Sequence, residues 1–321
     1  MAFLRGFGCY LPARVVDNAE LAPMVGADPA WLLHATGIEQ RRFAADGETV
    51  SSLGTEAARD CLKRCAAAAG EVGLVIAASG SGEYRFPGPA TAIARGLGIP
   101  GVPAIDLPMA SAGSLFGLSL AADLARQYGN VLVVGSEIMS RVVRLEPASR
   151  DTAILFGDGA GACLVSAADG FAEIRDSLLA SDGEFAEALR LCLDAPLYMD
   201  GRTIILHASR KLPRAILQLL ERNRLQPYDV GAYILHQANL NLITRVAHAV
   251  GAPESRFFRN LARYGNTSSA SMLIAAAEWR TGNPETLAQP VVFAAFGAGL
   301  NWGAVLAVPP GAMPLPEAPA S

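Results

Sequence analysis

The chain has 321 residues, of which 51% are hydrophobic and only 17% are charged, so it can bury a large core. Its net charge of −4 gives no electrostatic reason to expect nucleic acid as a partner. The N-terminus shows no signal-peptide pattern, and every apolar run stops well short of the about 18 residues of a membrane span. We therefore expect a cytoplasmic protein without membrane insertion that acts on small molecules.

The five cysteines are scattered along the chain and form no Cys-x-x-Cys pair. Their odd number and their spacing argue for reduced, mostly buried thiols rather than for a disulfide framework. The same spacing argues against a zinc site, so we expect no metal.

Apolar runs and helical periodicity alternate along the first half of the chain. We predict strands at 2–10, 74–78, 102–107 and 131–135, and helices at 17–25, 29–36, 51–69, 89–95 and 115–124. The glycines of 156–161 lead into the apolar residues 163–165, which predict a strand. A dinucleotide fingerprint must open a helix, so we reject that interpretation.

The pattern resumes from about residue 170. We predict strands at 173–180, 232–235, 291–295 and 302–308, and helices at 203–222, 240–250 and 272–280. Two successive stretches with the same order of elements predict a duplicated α/β fold, although no residue-level repeat is visible. We place the boundary near Ala167, which gives halves at 1–167 and 168–308, and we predict that the tail 309–321 is disordered.

The stretch 102–118 is predicted to form a buried strand, a turn of small residues and a buried helix, with Ser111 at the turn. There Ser111 lies at the positive end of a helix dipole, where a developing negative charge is favoured. The alternative is a serine that caps the helix, and the stretch taken alone favours this cap.

Four turns carry the residues that could perform chemistry, because active sites of open α/β sheets gather beyond the carboxyl ends of strands. They are 110–113, 236–239, 264–268 and 296–299. Together they offer a nucleophile, a base, an amide donor and glycine-lined backbone N–H groups, which suits acyl transfer with an oxyanion hole. Taken singly, His236 is more simply a structural histidine and Asn266 a turn residue. The chain contains no Gly-x-Ser-x-Gly elbow, which disfavours an α/β-hydrolase.

In this order the turns resemble those of the ketoacyl-ACP synthase III group of the thiolase superfamily. The most specific matches are 156–161, 236–240, 264–268 and 299–303, and the resemblance covers roughly residues 3 to 308. It implies a duplicated five-layer α-β-α-β-α thiolase fold, usually a homodimer. It also implies acyl-CoA or acyl-carrier-protein thioesters as substrates, without a cofactor.

The family moves an acyl group from acyl-CoA to a nucleophile at the start of a buried helix. It then usually condenses that group with a malonyl-ACP carbanion formed by decarboxylation. Carried over by position, the resemblance implies that Ser111 accepts the acyl group and that His236 and Asn266 stabilise the enolate oxygen. It implies further that the backbone N–H groups of Ser111 and Gly299 hold the thioester oxyanion.

Other positions match residues that bind the substrate. Trp31 and Arg150 match residues that flank the CoA adenine, and Phe86 matches the residue that closes the acyl pocket across the dimer. Ala35 stands where a CoA-binding arginine is common, and Asn241 stands where an arginine thought to contact the carrier protein is common. Recognition of donor and carrier is therefore expected to differ from that of the family.

The nucleophile of this family is ordinarily a cysteine, whereas the matching residue here is Ser111. An engineered Cys-to-Ser exchange is one explanation, but Leu107-Pro108-Met109 also departs from the family's run of small residues, which favours a natural serine branch. A helix N-terminus can pull a thiol to thiolate, whereas a serine hydroxyl is too weak an acid and needs a base in the transition state. His236 is the only candidate base matched by position.

We therefore expect an acyltransferase with an acyl-Ser111 intermediate. Retention of His236 and Asn266 together favours decarboxylative condensation. The serine favours acyl transfer to an alcohol, amine or carrier, because an acyl ester is less electrophilic than an acyl thioester. Condensation is favoured over simple transfer, which has no need of Asn266. A catalytically silent thiolase-fold partner subunit is a further alternative, against which the intact turns argue.

Overall fold

The computed structural model describes residues 1–192 and 194–312. The strands are β1 (Ala2–Tyr10), β2 (Arg14–Asp17), β3 (Gln40–Phe43), β4 (Leu74–Ala78), β5 (Ala104–Leu107), β6 (Asn130–Ile138), β7 (Asp158–Ser166), β8 (Ala172–Ser181), β9 (Leu189–Arg190), β10 (Tyr198–Met199), β11 (Ala232–Leu235), β12 (Val291–Gly297) and β13 (Asn301–Val308). The helices are α1 (Asn18–Met24), α2 (Pro29–Thr36), α3 (Val50–Arg64), α4 (Pro89–Gly96), α5 (Gly113–Tyr128), α6 (Arg150–Ala153), α7 (Gly201–Arg222), α8 (Leu240–Val250), α9 (Leu261–Tyr264) and α10 (Ser271–Gly282).

The predicted strands and long helices are confirmed, with β11 and α8 at their predicted bounds. Several predicted boundaries differ by a few residues, as for the helix predicted at 115–124 and the strand predicted at 131–135, which are both longer. The largest error is in α3, which ends at Arg64 rather than at residue 69. Ala66 adopts a left-handed φ of 49°, which a right-handed helix cannot contain. The strand predicted at 163–165 is part of β7, as the rejection of a dinucleotide loop requires. Of the predicted tail, residues 313–321 lie outside the described residues.

The main sheet repeats one strand order. In the first half the order is β5-β4-β6-β7-β1, in which β4 pairs parallel with β5 and β6, and β7 pairs antiparallel with β6 and β1. In the second half β11 pairs parallel with β12, and β13 pairs antiparallel with β12 and β8. Tyr233 of β11 also forms a parallel bridge with Phe257, where the first half has β5. A division near Ala167, between β7 and β8, stays our prediction.

Helices cover both faces of each half of the sheet. Helices α5 and α10 lie in the centre, and their apolar side chains form one core with strands of both halves: Leu115, Leu118, Met272, Leu273, Ile76, Val133, Ile234 and Phe293. Helices α3 and α4 pack outside the first half, and α7 and α8 pack outside the second. The fold is therefore a duplicated α/β fold of five layers, and the fully buried strand β4 is apolar throughout because it is covered on both faces.

The cysteines are free thiols as predicted, but fewer of them are fully buried than the sequence led us to expect. All five cysteines, which lie in the described residues, are free thiols, with Cys61 and Cys163 buried and Cys192 exposed. Among the helices of residues 1–192 and 194–312, none has both the length and the apolar character to cross a bilayer.

Candidate active site

The side chains of Ser111, His236 and Asn266 line one cavity, although they come from three separate turns. Its empty volume is about 770 Å³, part of which is open to solvent. The remaining lining is mainly apolar and comes from segments before α7, from α7 and α8, and from the end of β12: Leu155, Phe156, Leu189, Met199, Ile204, Ile205, Leu212, Leu242, Ile243, Val246 and Phe296. All three polar side chains are buried, so a reacting group here is largely withdrawn from water.

Ser111 precedes the central helix α5 and has a left-handed φ of 63°. The cap of α5 is Ala112, without a side-chain hydrogen bond, so the alternative of Ser111 as a helix cap is wrong. Gly297 packs directly on the turn, since a Cβ there would lie 2.3 Å from the Ala110 carbonyl oxygen and 2.9 Å from the Ser111 Cβ. Only a glycine allows the end of β12 to approach the serine so closely.

His236 follows β11 and is held by Ser271. Its Nδ1 lies 2.6 Å from the Ser271 Oγ, and the same oxygen accepts a hydrogen bond from the Gln237 N–H at 3.0 Å. Burial lowers the pKa of His236 from 6.5 to about 4, and the nearby Ser268 backbone carbonyl opposes part of that shift. The imidazole is therefore neutral near pH 7, with Nε2 as the ring nitrogen available to a ligand.

Asn266 is fixed through both its backbone and its side chain. Its N–H donates to the Leu155 carbonyl at 2.8 Å, and its carbonyl accepts from the Gly157 N–H at 3.1 Å. Its Oδ1 accepts a hydrogen bond from the Ser268 N–H at 2.9 Å. Because Oδ1 is engaged, Nδ2 is the part of the amide that can donate to a ligand oxygen.

The backbone N–H groups of Ser111 and Gly299, which are predicted to bind an oxyanion, do not both face the cavity. The Ser111 N–H donates to the Ser268 Oγ at 3.0 Å, so it is not free to bind an oxyanion in this arrangement. Gly299 is not among the residues that line the cavity, which is formed at this point by Phe296 and Gly297.

The predicted substrate-binding residues lie outside the cavity. The Arg150 guanidinium stacks on the Trp31 ring at 4.8 Å, so an adenine could enter between them only if this stack opens. Phe86 is 86% exposed and lines a separate groove beside Leu107 and Ala110. Within one chain it therefore does not reach the cavity.

Sequence analysis missed three polar residues that organise the site. Ser268 and Ser271 lie in or next to the predicted turn 264–268, but nothing in their spacing shows which group each one contacts. The buried Glu137 carboxylate accepts hydrogen bonds from the Gly80 N–H and the Ser269 hydroxyl, so it joins the loop after β4 to the turn before α10. Glu137 follows the strand predicted at 131–135, and nothing in the local sequence indicates that its carboxylate is buried.

Residues 1–192 and 194–312 contain no group of three or more His, Cys, Asp or Glu side chains that could hold a metal ion.

Comparison with known proteins agrees with this fold. A family model described as 3-oxoacyl-[acyl-carrier-protein (ACP)] synthase III matches residues 105–183, and the model of its C-terminal part matches 220–308. The beta-ketoacyl-[acyl-carrier-protein] synthase III of Rhodobacter capsulatus is 37% identical over 95% of this chain and 98% of its own length.

Solved structures agree as well. The crystal structure of the 3-oxoacyl-[acyl-carrier-protein] synthase III from Aquifex aeolicus is 32% identical, with a TM-score of 0.92 over 96% of this chain and 100% of the other. The priming β-ketosynthase of the R1128 polyketide pathway is 31% identical, with a TM-score of 0.89 over 96% of both chains. The chain therefore belongs to the 3-oxoacyl-[acyl-carrier-protein] synthase III family of the thiolase superfamily and is an acyltransferase.

Proposed function

We propose that this acyltransferase forms an acyl ester on Ser111 from an acyl thioester and condenses that acyl group with a malonyl thioester. The observation that carries the proposal is the convergence of Ser111, His236 and Asn266 on one largely apolar cavity. The acyl donor is acyl-CoA or an acyl-carrier protein. The chemistry needs no cofactor, because the thioester supplies the activated acyl group.

Acylation requires a proton to leave the serine. The Ser111 Oγ attacks the thioester carbonyl, the C–O bond forms and the C–S bond breaks. Since Nδ1 of His236 is engaged with Ser271, Nε2 takes the serine proton and passes it to the departing sulfur. A pKa of about 4 makes the imidazole a weak base, so we expect this step to be slow compared with the same transfer to a thiolate.

Condensation uses His236 together with Asn266. Loss of CO₂ from the malonyl thioester leaves its electron pair on an enolate, whose oxygen accepts hydrogen bonds from the Asn266 Nδ2 and from the His236 Nε2–H, in the tautomer whose Nδ1 accepts from the Ser271 hydroxyl. The enolate carbon attacks the acyl-Ser111 carbonyl, a C–C bond forms and the ester C–O bond breaks. The serine oxygen leaves as an alkoxide and takes up a proton that comes from water.

A screen of acyl donors by intact mass tests the proposal. Wild-type protein is mixed with acyl-CoAs and acyl-carrier proteins of several chain lengths, with Ser111→Ala as the control. We expect an added acyl mass on the wild type that is absent from the variant. Absence of both adduct and turnover with every donor would favour the silent-subunit alternative and overturn the proposal.

A second measurement separates condensation from simple acyl transfer. With malonyl-CoA present, we expect CO₂ release and a 3-oxoacyl product. Asn266→Ala should keep the Ser111 adduct and lose malonyl decarboxylation, because the Asn266 amide contributes only to the enolate step. If Asn266→Ala condenses normally, transfer to an alcohol, amine or carrier becomes the better description.

The assembly and the binding residues are part of the same proposal. We infer a cytoplasmic homodimer, supported by the exposed Phe86 and Tyr84 in the groove beside β5, the edge strand of the main sheet. In it Phe86 closes the partner's acyl pocket. Light scattering should give twice the chain mass, and Phe86→Ala should broaden the range of acyl donors. Arg150→Ala should raise KM for acyl-CoA more than for acyl-carrier protein, because only the former carries an adenine.

A further inference from the structure

We propose that Ser268 is a positioning residue whose hydroxyl holds the nucleophile Ser111 in its reactive orientation. The inference rests on the proposed function, since it assigns Ser268 to one of the two half-reactions. Its side chain serves acylation, whereas its backbone N–H holds Asn266, which binds the malonyl enolate.

Ser268 contacts Ser111 and Asn266, and it does so through different atoms. Its Oγ accepts a hydrogen bond from the Ser111 N–H at 3.0 Å. Its own N–H donates to the Asn266 Oδ1 at 2.9 Å. Removing the hydroxyl therefore removes the contact to Ser111 and leaves the contact to Asn266 in place.

The backbone conformations point to the same pair. In residues 1–192 and 194–312, four non-glycine residues have a positive φ. Ala66 and Arg224 follow the C-termini of α3 and α7, where a left-handed residue commonly ends a helix. Ser111, at 63°, and Ser268, at 47°, instead face each other across the site and share a hydrogen bond.

The turn that carries Ser268 is anchored independently of Ser111. Ser268 is 1% exposed. The hydroxyl of the neighbouring Ser269 lies within hydrogen-bond distance of two acceptors, the Glu137 carboxylate at 2.8 Å and the Ala78 carbonyl oxygen at 2.9 Å. An unfavourable backbone conformation persists when its surroundings over-determine it. The hydroxyl of Ser268 therefore acts from a fixed support and transmits that rigidity to the Ser111 turn.

Two variants separate the effect of the Ser268 hydroxyl on acylation from the effect of the backbone strain at that residue. Ser268→Ala removes the hydroxyl and keeps the strained φ, whereas Ser268→Gly removes both. Ser114→Ala is the matched control, because Ser114 is a buried serine of α5 whose Oγ has no hydrogen-bond partner. Acylation is followed as the rate of acyl-Ser111 formation by rapid-quench mass spectrometry. Decarboxylation is followed as CO₂ release from malonyl-CoA without an acyl donor.

We expect both Ser268 variants to acylate about 10- to 100-fold more slowly at saturating donor, since small displacements of a reacting atom cost about this much. The donor concentration at half-maximal rate should not change, and decarboxylation should stay within about twofold of the wild type. Ser114→Ala should match the wild type in both assays. Thermal unfolding of each variant shows that it is folded.

Three results would overturn this role. The first is acylation at the wild-type rate in Ser268→Ala, and the second is an equal loss of both half-reactions. The third is slow acylation in Ser268→Ala with normal acylation in Ser268→Gly, which would assign the effect to backbone strain. Wild-type protein that forms no adduct with any donor overturns the proposed function, and the role of Ser268 with it. An adduct that forms equally fast in wild type and variants overturns the role of Ser268 alone.

Discussion

Burial of His236 makes stability depend on pH in a way that one substitution can isolate. The pKa of this imidazole falls from 6.5 to about 4 because the ring is buried, so the unfolded chain binds a proton more readily than the folded one. The stability that follows from this difference is fully present above about pH 6.5 and is lost as the pH falls toward 4. His236→Gln keeps a polar side chain of similar reach and removes the titration.

The expected size of the effect follows from the two pKa values. A pKa difference of one between the folded and unfolded chain corresponds to about 1.36 kcal/mol of unfolding free energy. At pH 5 the unfolded state carries the proton and the folded state does not, which costs about 2 kcal/mol of unfolding free energy. Near pH 7 the cost is almost zero. The wild type should therefore lose about 2 kcal/mol more than His236→Gln between pH 7 and pH 5.

Urea unfolding of both proteins at several pH values measures this difference. All other titrating groups are shared, so they cancel when the two curves are subtracted. The lost contact to Ser271 shifts the variant by the same amount at every pH. Parallel curves between pH 7 and pH 5 would refute the reasoning, because they would mean that His236 titrates alike in the folded and unfolded chain. The imidazole NMR signal absent from His236→Gln should move with a midpoint near pH 4 in the wild type.

Three further substitutions test separate contacts. Gly297→Ala places a Cβ 2.3 Å from the Ala110 carbonyl oxygen, so we expect a loss of about 1–3 kcal/mol in urea unfolding and no Ser111 adduct; a fully active variant would contradict this packing. Glu137→Gln replaces one of the two carboxylate oxygens that join the loop after β4 to the turn before α10 by an NH2 donor, which would face the donors Gly80 or Ser269. It should cost about 2 kcal/mol, and an unchanged midpoint would contradict this. Ala66→Gly relieves a left-handed alanine and should gain about 0.5 kcal/mol, whereas a lower Tm would speak against that conformation.

Local sequence signals predicted most of the fold. Helix α8 is amphipathic, starts after the capping Asn239 and ends at Gly251, so both its bounds follow from side-chain chemistry. The end of α3 could not be predicted in this way. Alanine is a good helix former, so nothing in the sequence indicates that Ala66 adopts a left-handed φ. The short strands β2 and β3 were not predicted either, because four residues contain too few apolar positions to show the alternation of a strand.

In the candidate site, too, features with a local sequence signal could be predicted and features that depend on distant contacts could not. The strand-end turns of Ser111 and His236 are visible in the sequence because an apolar run stops at a group of small or polar residues. Their supports are not, since the Ser268 hydroxyl reaches a peptide 157 residues away. The lowered pKa of His236 likewise depends on burial by distant segments, which no local pattern reports.

The identity of the nucleophile gives the last prediction, because a thiol and a hydroxyl make different demands on His236. In the serine protein His236 must accept a proton as the C–O bond forms, so His236→Ala should slow acylation about 10²- to 10⁴-fold. In Ser111→Cys the thiol ionises more easily, so the same removal of the imidazole should slow acylation much less. We also expect faster condensation, because an acyl thioester is the better electrophile.

Rapid-quench acylation of the two single variants and the double variant measures this coupling directly. If His236→Ala slows the serine and cysteine proteins by the same factor, the imidazole does not act as the base, and its place next to Ser111 serves the enolate alone. If Ser111→Cys instead lowers the rates of both acylation and condensation, the site is shaped for the smaller oxygen. That shape would come from the left-handed turn, Gly297 and the Ser268 hydroxyl. The strain of placing a larger sulfur atom in this closely packed turn would then slow the reaction more than the greater reactivity of the thiol speeds it.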